Sequence, residues 1–457
     1  VGLGASIAPF DFAVNIAFPA ITQAFSLQTA SIRWVAVSYV LTYGSLMLGF
    51  GALGDRIGYR RVFRAGLMLA AIAFAACALA PTYGWLLAAR VAQGIAVALT
   101  LSCAPAMATL LFDESRRTWA LSTYTAMAAI AGVLAPIAGG LMVAMIDWPG
   151  VYWFRVPIAL LALAGVSQLG RDEPIRSTRS AQPFDTGGSA LLAASMALLL
   201  LAPALLGTRV EGLPDWAPWP IALAGVVAMT AFIRRQRRTD RPFMPSEVTR
   251  NTNFWLINLA AVVVQFASFA VPLITPYFLV RVAGWGTPAV GALMAVWAIG
   301  SLAGSSSASG LINRLGAPRT AFIAMLGIIA GLGAIACWQS SPSIALMAGS
   351  LLVHGAGLGL FQVAYTDIVI AALPINARGV AGSLTMVTRT IGLVIGASLW
   401  IALLQSIQMS AQTGAATPTA AFMSAFATVF VAAAVSAGTF LAVSALRAGL
   451  WQTSRST

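Results

Sequence analysis

Residues 51–64 read Gly-Ala-Leu-Gly-Asp-Arg-Ile-Gly-Tyr-Arg-Arg-Val-Phe-Arg. The stretch is short, rich in arginine and set between two long apolar runs. Gly54 and Gly58 supply the backbone freedom that a connection of a few residues between antiparallel helices demands. Asp55 is the only acid among Arg56, Arg60, Arg61 and Arg64. Four arginines beside a hydrophobic span mark a cytoplasmic loop, because basic residues concentrate on that side of a membrane. The pattern returns at 309–320, Ser-Gly-Leu-Ile-Asn-Arg-Leu-Gly-Ala-Pro-Arg-Thr. There Asn313, Arg314, Gly316 and Arg319 stand where Asp55, Arg56, Gly58 and Arg61 stand, 258 positions on. A loop duplicated inside a hydrophobic chain predicts two related halves, as in membrane transporters built from repeats.

Composition agrees. Of 457 residues, 59% are hydrophobic and 9% charged, against about 25% charged in a soluble domain. Apolar runs long enough to cross a bilayer recur from end to end, and strand-like alternation is missing. An all-α polytopic membrane protein follows, rather than a barrel. All 26 basic residues are arginine and the net charge is +13. In a soluble protein that charge would suggest nucleic acid as a partner; here its placement in loops explains it, and no nucleic acid is expected. Cys77, Cys103 and Cys337 all sit in apolar runs, which reads as packing and not as a disulfide framework. The first apolar run holds Asp11 and lacks a small-residue cleavage pattern, so it is expected to be a retained helix and not a signal peptide.

Fourteen spans are expected, at 2–24, 33–54, 61–80, 84–111, 118–145, 152–169, 187–206, 217–233, 252–280, 287–312, 319–338, 343–372, 379–407 and 419–446. With both termini cytoplasmic, the inside segments carry 20 arginines and the outside loops four: Arg33, Arg155, Arg209 and Arg281. That asymmetry supports an even number of spans. The longest polar stretches, 170–186 and 234–251, flank the pair at 187–233. The expected plan is therefore a six-helix bundle at 1–169, linkers with two inserted helices at 170–251, a second six-helix bundle at 252–446 and a tail at 447–457.

The first loop closely resembles the loop motif of the major facilitator superfamily, with Gly51, Leu53, Asp55, Arg56, Gly58 and Arg60 in the motif positions. Fourteen spans resemble its 14-helix drug:proton antiporter branch. Phe10 to Pro19, with Asp11 and Asn15, is similar to that branch's first-helix motif. Trp34 and Tyr39, and Leu86 to Gly94 with Arg90, resemble its second- and fourth-helix patterns. Residues 148–157 resemble a Trp…Asn-Val-Pro motif, with Arg155 where Asn is usual. The antiporter motif of the fifth helix is met by Pro136, Gly139 and Gly140, with Ala131 and Ala135 where Gly is usual; small residues there allow close helix packing. The resemblance implies a proton-coupled exporter of small lipophilic or amphipathic compounds, working by rocking of two bundles. It would be a monomer in a bacterial plasma (inner) membrane, with the lipid bilayer, protons and a small molecule as partners and the proton gradient as energy source, without a cofactor. It also implies a gate: Asp55 against the N-terminal end of the helix at 379–407, and Arg60 or Arg61 bridging to Asp113 or Glu114.

A charge at the bilayer centre costs about 2.5–3.5 kcal/mol or more and needs a partner or a task. Of 13 acids, Asp11 and Asp367 alone fall within spans; Arg90, Arg389 and the single histidine, His354, join them. Asp11 is the candidate proton carrier or, alternatively, a permanent ion pair with Arg90. Arg90 would tune Asp11 or bind an anionic group. Asp367 is a second proton candidate or the partner of Arg389 or Arg378. His354 is a relay candidate or a hydrogen-bonded core residue. Arg389 and Tyr39 are the remaining candidates for substrate contact, among aromatics such as Trp34, Trp255, Phe266, Tyr277 and Phe361 that mostly read as packing. No metal-ligand cluster, Walker loop or nucleophile–base pair is present, which argues against a metalloprotein, an ATP-driven pump and an enzyme. A transporter of one specific, anionic metabolite is the rival within the class. A non-transporting sensor would need a sizeable soluble domain, and the longest loop is under 20 residues.

Overall fold

A computed structural model of the chain describes residues 1–29, 31–110, 117–168, 186–205, 214, 216–238, 252–340, 343–372, 378–413, 417–447 and 451. It is all helical over these residues. The helices are α1 (Gly2–Ser6), α2 (Phe12–Ala24), α3 (Arg33–Ile57), α4 (Tyr59–Ala78), α5 (Tyr83–Leu110), α6 (Arg117–Ile146), α7 (Gly150–Trp153), α8 (Arg155–Ser167), α9 (Thr186–Leu205) and α10 (Pro218–Arg238). They continue with α11 (Thr252–Ser268), α12 (Ala270–Arg281), α13 (Thr287–Leu315), α14 (Ala317–Ala336), α15 (Ile344–Ala372), α16 (Arg378–Thr413) and α17 (Pro418–Ala445). Each of the fourteen expected spans is occupied by helix. Eleven stretches of the described residues are long and apolar enough to cross a membrane. The other three expected spans are α3, α9 and α10.

The chain divides into two compact units, Val1–Thr239 and Asp240–Thr457. In the first, α5 packs on α3 and α4, α6 on α2, and the pair α9–α10 joins through α9 to α3. In the second, α15 packs on α13 and α14, and α11 on α16 and α17. The repeat read from the loops extends to the backbone. Gly58 closes α3 and opens α4 at φ 98°, ψ 129°; Gly316 closes α13 and opens α14 at φ 84°, ψ 154°. These positive φ values with extended ψ suit only glycine. In both loops the glycine N–H caps the preceding helix, donating to Gly54 O at 3.0 Å and to Ile312 O at 2.8 Å.

Three expected spans contain breaks. The first is split by a single 3-10 turn, Pro9–Asp11, between α1 and α2. Proline has no N–H to give to the helical ladder. The ninth breaks at Phe269, and Pro272 withholds the N–H that Ser268 O, the end of α11, would accept. The sixth breaks at Phe154, where Pro157 does the same to Trp153 O.

Small residues set the closest crossings. Gly300 and Gly304 of α13 interlock with Gly355 and Gly359 of α15, backbone against backbone. Gly396 of α16 faces Phe266 of α11, and Trp400 Nε1 donates to Phe266 O at 2.6 Å. Gly139 of α6 lies so close to α2 that an added Cβ would stand 2.8 Å from Ala13 Cα.

Candidate functional site

The break in the first span places Asp11 at the head of α2, not in the middle of an unbroken helix. Its carboxylate is where the charged side chains of the first unit converge. Arg90 of α5 grips it with both terminal nitrogens, Nη1 to Oδ1 at 2.6 Å and Nη2 to Oδ2 at 2.9 Å. This is the paired, fork-shaped geometry that makes guanidinium–carboxylate contacts strong. Gln93, one turn on from Arg90 and on the same helix face, donates Nε2 to Oδ1 at 2.8 Å and accepts from Arg90 Nη1 at 2.9 Å. Arg90 Nε donates to Val35 O of α3 at 2.8 Å, and its guanidinium carbon lies 4.4 Å from the Tyr39 ring centre.

A second guanidinium completes the cluster. Arg155, the first residue of α8, donates Nη2 to Asp11 Oδ1 at 3.0 Å and to Ile7 O at 3.3 Å. Ile7 O lies just past the end of α1, so Arg155 also caps the carbonyl that the break frees. Its guanidinium packs 4.3 Å from the centre of the Phe74 ring on α4. Arg90 and Arg155 are each 1% exposed and Asp11 is 15% exposed. Two guanidiniums and one carboxylate leave this cluster with one net positive charge. Arg155 Nε and Nη1 and the Tyr152 hydroxyl are buried with no hydrogen-bond partner among the described residues. Cys77, read as packing, adjoins the same cluster, its Sγ 3.9 Å from Gln93 Oε1.

Arg155 corrects the loop count. It and Arg33 were assigned to outside loops, yet both are buried at helix starts, Arg33 opening α3. A guanidinium that finds carbonyls and a carboxylate inside the fold needs no aqueous loop. The signals for Arg155 were its place in an apolar run and its substitution for the usual Asn. Gln93 carries no charge and no ring, so neither the rarity of charges within spans nor the aromatic pattern points to it.

The gate residues fall differently from expectation. Arg60 donates to the last carbonyls of α8, Nε to Val166 O at 3.2 Å and Nη2 to Ser167 O at 3.1 Å. Those carbonyls have no partner within their own helix, which makes them ready acceptors. Arg61 is exposed. Asp113 and Glu114, and the side chains of Asp55 and Arg56, lie outside the described residues. Gly51 has room beside Ser102, at 3.9 Å from a hypothetical Cβ. Pro136, Gly139 and Gly140 are buried in α6, on the helix that packs against α2.

In the second unit the candidates do not converge. Asp367 is exposed on α15 and makes no ion pair with Arg389; Arg378's side chain lies outside the described residues. His354 is fully buried between α13 and α14. Trp297 Nε1 donates to its Nδ1 at 2.9 Å, so Nε2 carries the ring proton and has no partner among the described residues. Backbone of α15 at His354 touches Gly331 directly. This is the hydrogen-bonded core arrangement, and among the described residues no titratable side chain is hydrogen-bonded to it. Arg389 lines a cavity between α11, α15 and α16.

The family profile of the Major Facilitator Superfamily matches residues 1–397. The riboflavin transporter RibZ of Clostridioides difficile is 23% identical over 387 residues, 84% of this chain and 82% of that protein. The tetracenomycin C resistance and export protein of Streptomyces glaucescens is 26% identical over 386 residues, 84% of this chain and 71% of that protein. The crystal structure of the nucleoside transporter NupG superposes with a TM-score of 0.67 over 96% of this chain and 98% of that one. At 12% identity the likeness is one of fold. The chain is thus a multi-pass membrane transporter and not an enzyme, and it belongs to the Major Facilitator Superfamily.

Proposed function

We propose that this transporter exports small lipophilic or amphipathic compounds in exchange for protons, by alternating access, from the plasma membrane of a bacterium. The reading includes fourteen spans with both termini cytoplasmic, six-helix bundles at 1–169 and 252–446, and an inserted pair within 170–251. One observation carries it: the Asp11 carboxylate, clamped by Arg90 and Arg155 at a break in the first span. Asp11 is the appreciably exposed member of that cluster, and its carboxylate is the group that can take up a proton, since both guanidiniums already carry theirs. Protonating it removes the one counter-charge for two buried cations. The cluster must then open or take another anion. Asp11 heads α2, and α2 is pressed against Gly139 of α6, so opening the cluster shifts helices. One proton falling through 100 mV supplies about 2.3 kcal/mol, enough for about a fifty-fold substrate gradient. Export as the direction is supported by the printed role of the tetracenomycin C relative.

Everted membrane vesicles test it. With an acid interior imposed, vesicles carrying the protein should accumulate a compound from a panel of cationic, neutral and anionic candidates, and a protonophore should abolish the accumulation. Accumulation that ignores the protonophore would show a facilitator. A second reading, a transporter of one anionic metabolite, is favoured by the excess of buried guanidinium over carboxylate.

A further inference from the structure

Arg155 brings more donors into the interior than its neighbours accept. Its Nη2 uses both hydrogens, on Asp11 Oδ1 at 3.0 Å and on Ile7 O at 3.3 Å. Its Nε and Nη1 are buried with no hydrogen-bond partner among the described residues. One turn back, the Tyr152 hydroxyl is in the same condition. Arg155 is 1% exposed and Tyr152 is fully buried. Phe154 between them keeps helical backbone angles, φ −64° and ψ −19°, so residues 152 and 155 share one face of the α7–α8 segment. The Tyr152 ring stands edge-on to Trp148 with 6.4 Å between ring centres, which fixes the ring that carries the hydroxyl. Buried polar groups of this kind are costly unless something binds them.

Water would satisfy the donors and leave the charge. Among the described residues, Asp11 is the carboxylate paired with both Arg90 and Arg155, so one cation of the cluster has no counter-ion of its own. A buried cation without one is strongly unfavourable. The free nitrogens also say what kind of anion fits. A guanidinium presents two forks, Nε with Nη2 and Nη1 with Nη2. Nη2 belongs to both, and both its hydrogens are in use. No fork remains for the paired contact by which a carboxylate or phosphate is best held. A monatomic anion needs only single contacts. The Phe74 ring, 4.3 Å from the guanidinium carbon, closes one face of the group against anything larger. We propose that Arg155 binds a chloride ion through a free guanidinium nitrogen, with the Tyr152 hydroxyl as second donor. The ion is a fixed counter-charge of the cluster and not cargo. The site stands on the geometry of α7 and α8 and does not rest on proton-coupled export.

The test uses the full chain, purified in detergent with gluconate as the anion and then equilibrated with chloride or bromide at constant ionic strength. A ligand that binds the folded protein raises its melting temperature as the ligand concentration rises. From about 1 mM to about 300 mM, chloride should raise it by at least about 2 °C. Bromide should act alike, and the chloride NMR line should broaden saturably on adding protein. Arg155→Asn should abolish both responses. Tyr152→Phe keeps the ring and should weaken chloride by about ten-fold, the scale of a lost hydrogen bond to a charged group. Arg155→Lys keeps a cation and should retain part of the response. Should Arg155→Asn not fold, Tyr152→Phe and Arg155→Lys decide the matter. No saturable chloride response would mean that the donors hold water and would overturn the proposal. A response unchanged in Arg155→Asn and Tyr152→Phe would show an adventitious ion only. Benzoate stabilising as well as chloride, through Arg155, would make this an organic-acid site and overturn the halide assignment. Because binding is read without a gradient, its failure leaves proton-coupled export standing, and failure of proton coupling leaves this binding result standing.

Discussion

Arg155 Nη2 stands 3.0 Å from Asp11 Oδ1, joining the start of α8 to the head of α2 across 144 positions of chain. Arg90 already holds both oxygens of the same carboxylate. The two arginines are therefore unequal. Arg90 and Asp11 form a neutral pair, and Arg155 is the surplus cation, with two of its nitrogens unpartnered among the described residues.

That inequality gives a stability contrast. Removing one partner of a buried ion pair costs about 3–5 kcal/mol, because the other charge stays uncompensated. Arg90→Gln should lower the apparent melting temperature of the purified protein markedly. Arg155→Asn leaves the Arg90–Asp11 pair intact and removes the surplus charge, so it should lower the melting temperature little or raise it. Equal losses in the two variants would contradict the assignment.

The loop glycines divide in the same way. An L-residue at Gly58 or Gly316 must adopt a backbone conformation only glycine tolerates, at about 1–3 kcal/mol. Gly58→Ala and Gly316→Ala should each reduce the folded yield on size-exclusion chromatography. Gly51→Ala should not, since its added methyl meets only Ser102 at 3.9 Å.

His354 separates packing from chemistry. Among the described residues its only hydrogen bond is from Trp297. Replacing it by Gln should lower thermal stability while leaving the number of protons moved per substrate unchanged. A lost or altered proton count would make His354 a proton carrier after all.

Helix positions were legible because hydropathy is a local property: a bilayer-length apolar run announces itself wherever the rest of the chain goes. The duplicated loop was legible for the same reason, down to Gly58 and Gly316. The Asp11–Arg90 pair could be suspected because charges within spans are few. Arg155 could not be placed, because the break at Phe154 that turns it inward depends on Pro157 and on the carbonyl of Ile7, which lies in another span. Arg60 was expected on an acid and instead binds α8 carbonyls, whose availability only the end of that helix determines. Gln93 carries no charge, so the rarity of charges within spans does not point to it, although it makes two hydrogen bonds at the Asp11 site.

The central claim is that Asp11 carries the coupled proton. The most direct measurement is substrate-dependent proton flux in liposomes holding the purified protein and a trapped pH dye, with wild type beside Asp11→Asn and Asp367→Asn. If Asp11 is the carrier, a transported compound drives proton movement in wild type and in Asp367→Asn, and none in Asp11→Asn. Full proton flux in Asp11→Asn would contradict the claim and leave the Asp11–Arg90–Arg155 cluster a purely structural one.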